Sequence, residues 1–194
     1  MKRTYSKNYF EKYAAISLSS MYQIDINLIL QSDCPDLQIP SKNIGIEVTQ
    51  ALTPEEAVED KKKQLYCHID TNPFNSFEED KDFLKWKIQD ALNRKEKKAK
   101  HYKIFHTNAL YIFTHCYNFN EEDILSCFED YSFENSFYQF IYLNCVQNVY
   151  CLSLCDKKIH KYSFTLQQLF DMNKHSLEYE KTCTKVRKEI IINK

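Results

Sequence analysis

Among 194 residues there is a single glycine, Gly45, where average usage would supply roughly a dozen. Glycine is the residue that lets backbone N–H groups crowd around an anion and lets the chain turn through left-handed conformations. Phosphate-cradling loops of the G-x-G-x-x-G or G-x-x-x-x-G-K-[ST] kind therefore cannot be written in this chain. The G-x-S-x-G nucleophile elbow is excluded for the same reason, as are collagen-like and glycine-punctuated repeats. Gly45 itself answers one of two needs, a positive φ or the close approach of another group to the backbone.

A chain with 14 Tyr, 13 Phe, 1 Trp and 43% hydrophobic residues can bury one proper core, so a single domain over 1–194 is expected. The net charge of −1 confines any nucleic-acid binding to a local patch. Eight cysteines are scattered without a C-x-x-C pair, which reads as reduced core thiols and a cytoplasmic protein. The six histidines form no H-x-H or H-E-x-x-H pattern, so zinc is not expected. The N-terminus is basic, but its following apolar run is short and broken by serines, a poor signal peptide. No stretch approaches 18 apolar residues, so a soluble protein without a membrane partner is expected.

Periodicity divides the chain into mixed elements. Residues 6–22 read as a helix capped by Ser6, with Tyr9, Phe10, Tyr13 and Ile16 at near-helical spacing. Ile24, Ile26, Leu28 and Leu30 alternate with Asp25 and Asn27 as in a strand with one apolar face. Leu37–Ile39 and Ile44–Val48, separated by Pro40, Ser41, Lys42 and Asn43, predict a hairpin. Thr53, Pro54 and Glu56 make a helix start, with Thr as cap and Glu placed to bond back to it, for a helix to about Gln64. A loop over 70–78 and a long helix over 79–102 follow, the latter burying Phe83, Leu84, Ile88, Ala91 and Leu92. Ala109–His115 has the continuous apolar character of a strand covered on both faces. A short helix at 121–131, two or three strands over 137–164, a helical turn at 166–172 and a helix or tail at 177–190 complete the chain. The expected class is α/β, a central mixed sheet flanked by helices.

One segment carries chemistry. Strand alternation sends Glu47 and Thr49 to one face and Ile46 and Val48 to the other. Asp36, just before the partner strand, can come beside Glu47. Two adjacent carboxylates are tolerable only with a cation or proton between them. A hard divalent ion such as Mg²⁺ binds to such oxygen donors and to phosphate oxygens.

The helix at 6–22, Pro35-Asp36, Gly45-Ile46-Glu47-Val48-Thr49 and the following helix start resemble the PD-(D/E)xK nuclease-like superfamily. The resemblance implies a restriction-endonuclease-like core over about 6–115, which 137–194 extends. It implies an endonuclease or phosphodiesterase acting on DNA. Asp36, Glu47 and the Val48 carbonyl would hold Mg²⁺ or Mn²⁺, and Glu11 is the acidic candidate from the first helix. The family usually has Lys two residues after the Glu, where this chain has Thr49. Either the role has moved or the site is weakened. Gln50 is adjacent, although alternation aims it away. Lys95 and Lys98 rank ahead of Lys61, Lys62 and Lys63 as relocated lysines, because they extend the row Ile88, Leu92.

Between residues 94 and 103 there are six basic residues and one acidic, with Arg94, Lys97 and Lys100 placed to follow a phosphate backbone. The plain alternative is a solvated helix end whose cations favour the C-terminal dipole. A catalytically lapsed nuclease fold that binds nucleic acid or a protein is the second reading, favoured by Thr49. A small interaction protein in which Asp36 and Glu47 never meet is the third. A nuclease of this size would need a homodimer or a companion subunit to cut both strands.

Overall fold

The computed structural model describes residues 5–53, 55–56 and 80–192, and side chains up to residue 183. Helix α1, Lys7–Tyr22, starts where Ser6 accepts a hydrogen bond from the Asn8 N–H. It stops at Gln23, which turns into the left-handed conformation with φ 52° and donates its N–H to Ser19 and Ser20. Its buried residues include Tyr9, Phe10, Tyr13, Ala14 and Leu18.

The strand expected over Ile24 to Leu30 is largely a turn. Asp25 accepts from the Asn27 N–H at 2.9 Å, a local bond that competes with extended backbone. Ile26–Leu28 coils into 3-10 helix, and only β1, Leu30–Gln31, remains extended.

The hairpin is formed as expected. β2, Leu37–Ile39, and β3, Ile44–Gln50, are antiparallel, joined by a 3-10 turn at Pro40–Lys42 and by Asn43 at φ 53°. The pairing of Leu37 with Ile46, continued one step, sets Asp36 opposite Glu47. The Thr53 and Glu56 cap is reciprocal: the Thr53 N–H donates to Glu56 Oε2 at 2.7 Å, and the Glu56 N–H to Thr53 Oγ1 at 3.1 Å. The rest of that expected helix and the loop over 70–78 lie outside the described residues.

The long helix is α2, Lys81–Lys98, capped by Asp80 and continued by a 3-10 turn at Ala99–His101. Leu84, Ile88, Ala91 and Leu92 are buried as expected, but Phe83 is not. Phe83 stacks on Trp86 at the surface instead, with ring centroids 5.7 Å apart, and Lys87 takes the inward position.

Strand β4, Thr107–Phe113, is parallel to β3 over seven consecutive pairs without a bulge. Helix α3, Glu121–Cys127, begins with a capping box between Asn120 and Asp123 and is shorter than expected. β5, Phe140–Cys145, lies parallel to β4, and β6, Asn148–Ser153, and β7, Ile159–Ser163, add antiparallel strands. The last two helical expectations fuse into one helix, α4, Leu166–Ile192.

The result is an open, seven-stranded mixed sheet in the order β1-β2-β3-β4-β5-β6-β7. Alternation along β3 and β4 divides the core. Ile44, Ile46, Val48, Ala109, Tyr111 and Phe113 face α1 and α4, while Leu110 and Ile112 face α2 and α3. The fold is α/β, with helices on both faces.

Left-handed backbone is supplied without glycine. Gln23, Asn43, His115, Val146 and Lys157 have φ between 52° and 62°. Gly45 is not among them, and its role is close approach. A Cβ there would meet the Phe105 ring at 2.5 Å and the Pro35 ring at 2.8 Å.

Candidate functional site

Pro35 and Phe105, the two rings that close over Gly45, lie beside Asp36 in the chain and beyond the end of α2. Two backbone links fix Asp36. Its carbonyl accepts from the Ser32 N–H at 2.9 Å, and its Oδ2 accepts from the Val48 N–H at 2.8 Å. The second bond fastens the Asp36 carboxylate to the strand that carries Glu47.

Asp36 is 1%, Glu47 2% and Glu11 6% exposed, and ions removed from water this fully need close partners. Two lysines provide them. Lys7 Nζ lies 2.8 Å from Asp36 Oδ1 and 3.3 Å from Glu11 Oε1. Lys95 Nζ lies 2.6 Å from Glu47 Oε2 and 3.8 Å from Asp36 Oδ2. The charges alternate along the row Glu11, Lys7, Asp36, Lys95, Glu47, which runs from α1 on one face of the sheet to α2 on the other.

The compensation is incomplete. Oε1 of Glu47 is buried without a hydrogen bond, and Oε1 of Glu11, although in ion-pair range of Lys7, makes none either. Burial, followed by the negative charge of Asp36, pushes the Glu11 carboxyl up to about 7 against the pull of Lys7. Burial and Asp36 likewise raise Glu47 against the pull of Lys95. Burial lowers the affinity of Lys7 for its proton, but Asp36 and Glu11 outweigh it and the net shift is upward. Tyr102, just beyond α2, is raised by burial and then by the negative charge of Glu47. Tyr138, whose buried hydroxyl makes no hydrogen bond, is raised by burial and by the same carboxylate.

Thr49 lies on the Glu47 face of β3 by alternation, while Gln50 turns away. Its Oε1 is 3.1 Å from His115 Nε2, and the unbroken register leaves no bulge to redirect it. Lys98 is exposed, and of these two lysines on α2 it is Lys95 that reaches the carboxylates. Arg94 is engaged by Asp90 at 2.7 Å, and Lys97 and Lys100 are exposed. Sequence reasoning missed Lys7 and Tyr102. Lys7 had a readable signal, since it stands four residues before Glu11 on one helix. Tyr102 had none beyond its place near the helix end.

Among the described residues, carboxylates and ammonium groups converge here. Carboxylate oxygens are donors that suit a hard cation, and Oε1 of Glu47 is buried without a hydrogen bond. Among the described residues there is no ready-made group of three or more His, Cys, Asp and Glu side chains arranged to hold a metal; two ammoniums stand among the carboxylates instead. No helix of the described residues is long and apolar enough to cross a membrane. Compared with protein-family models, curated proteins and solved structures, the chain has no match.

Proposed function

We propose that the protein is a metal-dependent phosphodiesterase of the PD-(D/E)xK nuclease type acting on DNA. The observation that carries this reading is that one ammonium, that of Lys95, is within ion-pair reach of both Asp36 and Glu47. A cation from a packed helix and two carboxylates, one on β3 and one just before β2, are the parts the chemistry needs. Asp36, Glu47, the Val48 carbonyl and Glu11 are the groups that would hold Mg²⁺ or Mn²⁺. When bound, such an ion stabilises the charge that develops on the scissile phosphate and makes water a better nucleophile.

The chain's own contributions follow from position. The Val48 N–H keeps Asp36 facing Glu47. Lys95 takes the part of the missing motif lysine, orienting the attacking water and balancing phosphate charge, and it arrives from α2 because Thr49 supplies a hydroxyl without charge. Arg94, Lys97 and Lys100 contact the phosphate backbone on either side. Cleavage of both strands calls for a homodimer or a companion subunit. A cytoplasmic setting belongs to this reading, supported by the lack of a disulfide among the seven described cysteines.

A second reading has its own observation. Lys7 and Lys95 already compensate Asp36, and no ready-made three-ligand group exists among the described residues. A catalytically inactive nuclease fold that binds nucleic acid or a protein would keep such a row of ion pairs for structure.

Cleavage of supercoiled plasmid with Mg²⁺ or Mn²⁺, by the wild type and by Asp36→Ala, Glu47→Ala and Lys95→Ala, decides between them. The expected result is nicking by the wild type and its loss in all three variants. Cleavage that survives both carboxylate substitutions, or is absent with either metal, overturns the nuclease reading.

A further inference from the structure

The two lysines grip Asp36 from opposite oxygens, but they are held very differently. The Lys95 side chain is 18% exposed and the Lys7 side chain 63% exposed, while their shared partner Asp36 is 2% exposed. Lys7 springs from the first turn of α1, so its ammonium spans Asp36 Oδ1 and Glu11 Oε1 at the end of a long stem lying in solvent. A lysine stem of this kind can swing its head into water without moving the helix. Lys95 cannot do so as cheaply, because its stem leaves the buried row of α2 and its ammonium faces a carboxylate enclosed by the sheet.

We propose that Lys7 is a built-in competitor for the cation site: its ammonium holds Asp36 and Glu11 until a divalent cation displaces it, while Lys95 stays. The inference rests on the reading of these carboxylates as a metal site, and it assigns to Lys7 a role that the resemblance to the nuclease superfamily does not supply. An ammonium bridging two carboxylate oxygens fills the space that a second cation between them would need. Two like charges in one small site also repel each other. Removing the Lys7 charge therefore frees Asp36 and Glu11 and takes away a positive neighbour.

The test measures binding of Mn²⁺ alone, by the electron paramagnetic resonance of the free ion, at fixed ionic strength and without DNA. The proteins are wild type, Lys7→Gln, Lys7→Arg and Glu47→Gln. The expected result is roughly tenfold tighter binding by Lys7→Gln, the size of one charge-assisted hydrogen bond to a buried carboxylate. Lys7→Arg should stay near the wild type, and Glu47→Gln should bind weakly. If the wild type binds Mn²⁺ and Glu47→Gln does not, yet Lys7→Gln binds no more tightly than the wild type, the competitor role is wrong and the metal site stands. If neither the wild type nor Lys7→Gln binds Mn²⁺, the metal reading and the inference built on it both fall. Circular dichroism of each variant checks that α1 is intact, and Lys7→Arg provides the folded control.

Discussion

Lys7 and Lys95 carry the same charge to the same aspartate, and the surroundings of each decide what that charge is worth. At the α2 end, Lys95 and Glu47 are nearly enclosed, and each depends on the other for compensation. At the α1 end, Lys7 reaches in from solvent, and water can replace it. Substitution of one partner in the enclosed pair strands a buried charge, whereas substitution at the open end lets solvent take over.

The largest expected effect is therefore from Lys95→Met, which leaves Glu47 without its partner. It should cost about 3 kcal/mol of unfolding free energy in urea titrations. A loss no greater than that of Lys7→Gln would break the contrast between the two ends. Gly45→Ala disturbs both together, because its new methyl would run into the rings of Pro35 and Phe105. We expect a loss of about 2 kcal/mol, and a drop in cation binding whichever lysine is present.

In the metal-free protein, a change of pH has the next largest effect. The Glu11 carboxyl, ordinarily near 4.5, is raised to about 7 in the fold. Between those values the folded state binds the extra proton, so stability is greatest below that window and falls as pH rises through it. Glu47, raised as well, has the same sign. After allowance for solvent screening the fall should be roughly 1 kcal/mol, read from urea midpoints at pH 5 to 8 in chelator. A flat profile would mean that the row is better compensated than its geometry indicates. The smallest effect belongs to Lys7→Gln, under about 1 kcal/mol at neutral pH. That value sharpens the comparison directly, since it sets the open end beside the enclosed one.

What could be read from the sequence was what local physics decides. Alternation in Ile44–Val48 and the all-apolar run of β4 gave strands with the right faces, and the capping residues Ser6 and Thr53 marked helix starts that the structure bears out. Where several weak signals compete, the reading failed. Asp25 closing onto Asn27 outweighed the alternation of Ile24 to Leu30. Phe83 lost its inward place to Lys87, which is buried with its ammonium 3.2 Å from Glu56 Oε1, a partner far away in sequence. At the site, the approach of Asp36 to Glu47 was legible from the hairpin, and Lys95 from the row Ile88, Leu92. Lys7 was harder to see, because its link to Asp36 depends on how α1 crosses the sheet, and no local period encodes that.

The scarcity of glycine reaches beyond the folded structure. Five ordinary side chains, one of them the β-branched Val146, occupy backbone conformations usually left to glycine, and a residue so placed carries about 1 to 2 kcal/mol of strain. The same side chains narrow the range of shapes open to the denatured chain, which loses correspondingly less freedom when it folds. The strain is local to a few turns, while the stiffening is spread over the whole denatured polymer. A protein of this composition starts nearer to its native state, and its tight turns are the places where that head start is drawn down.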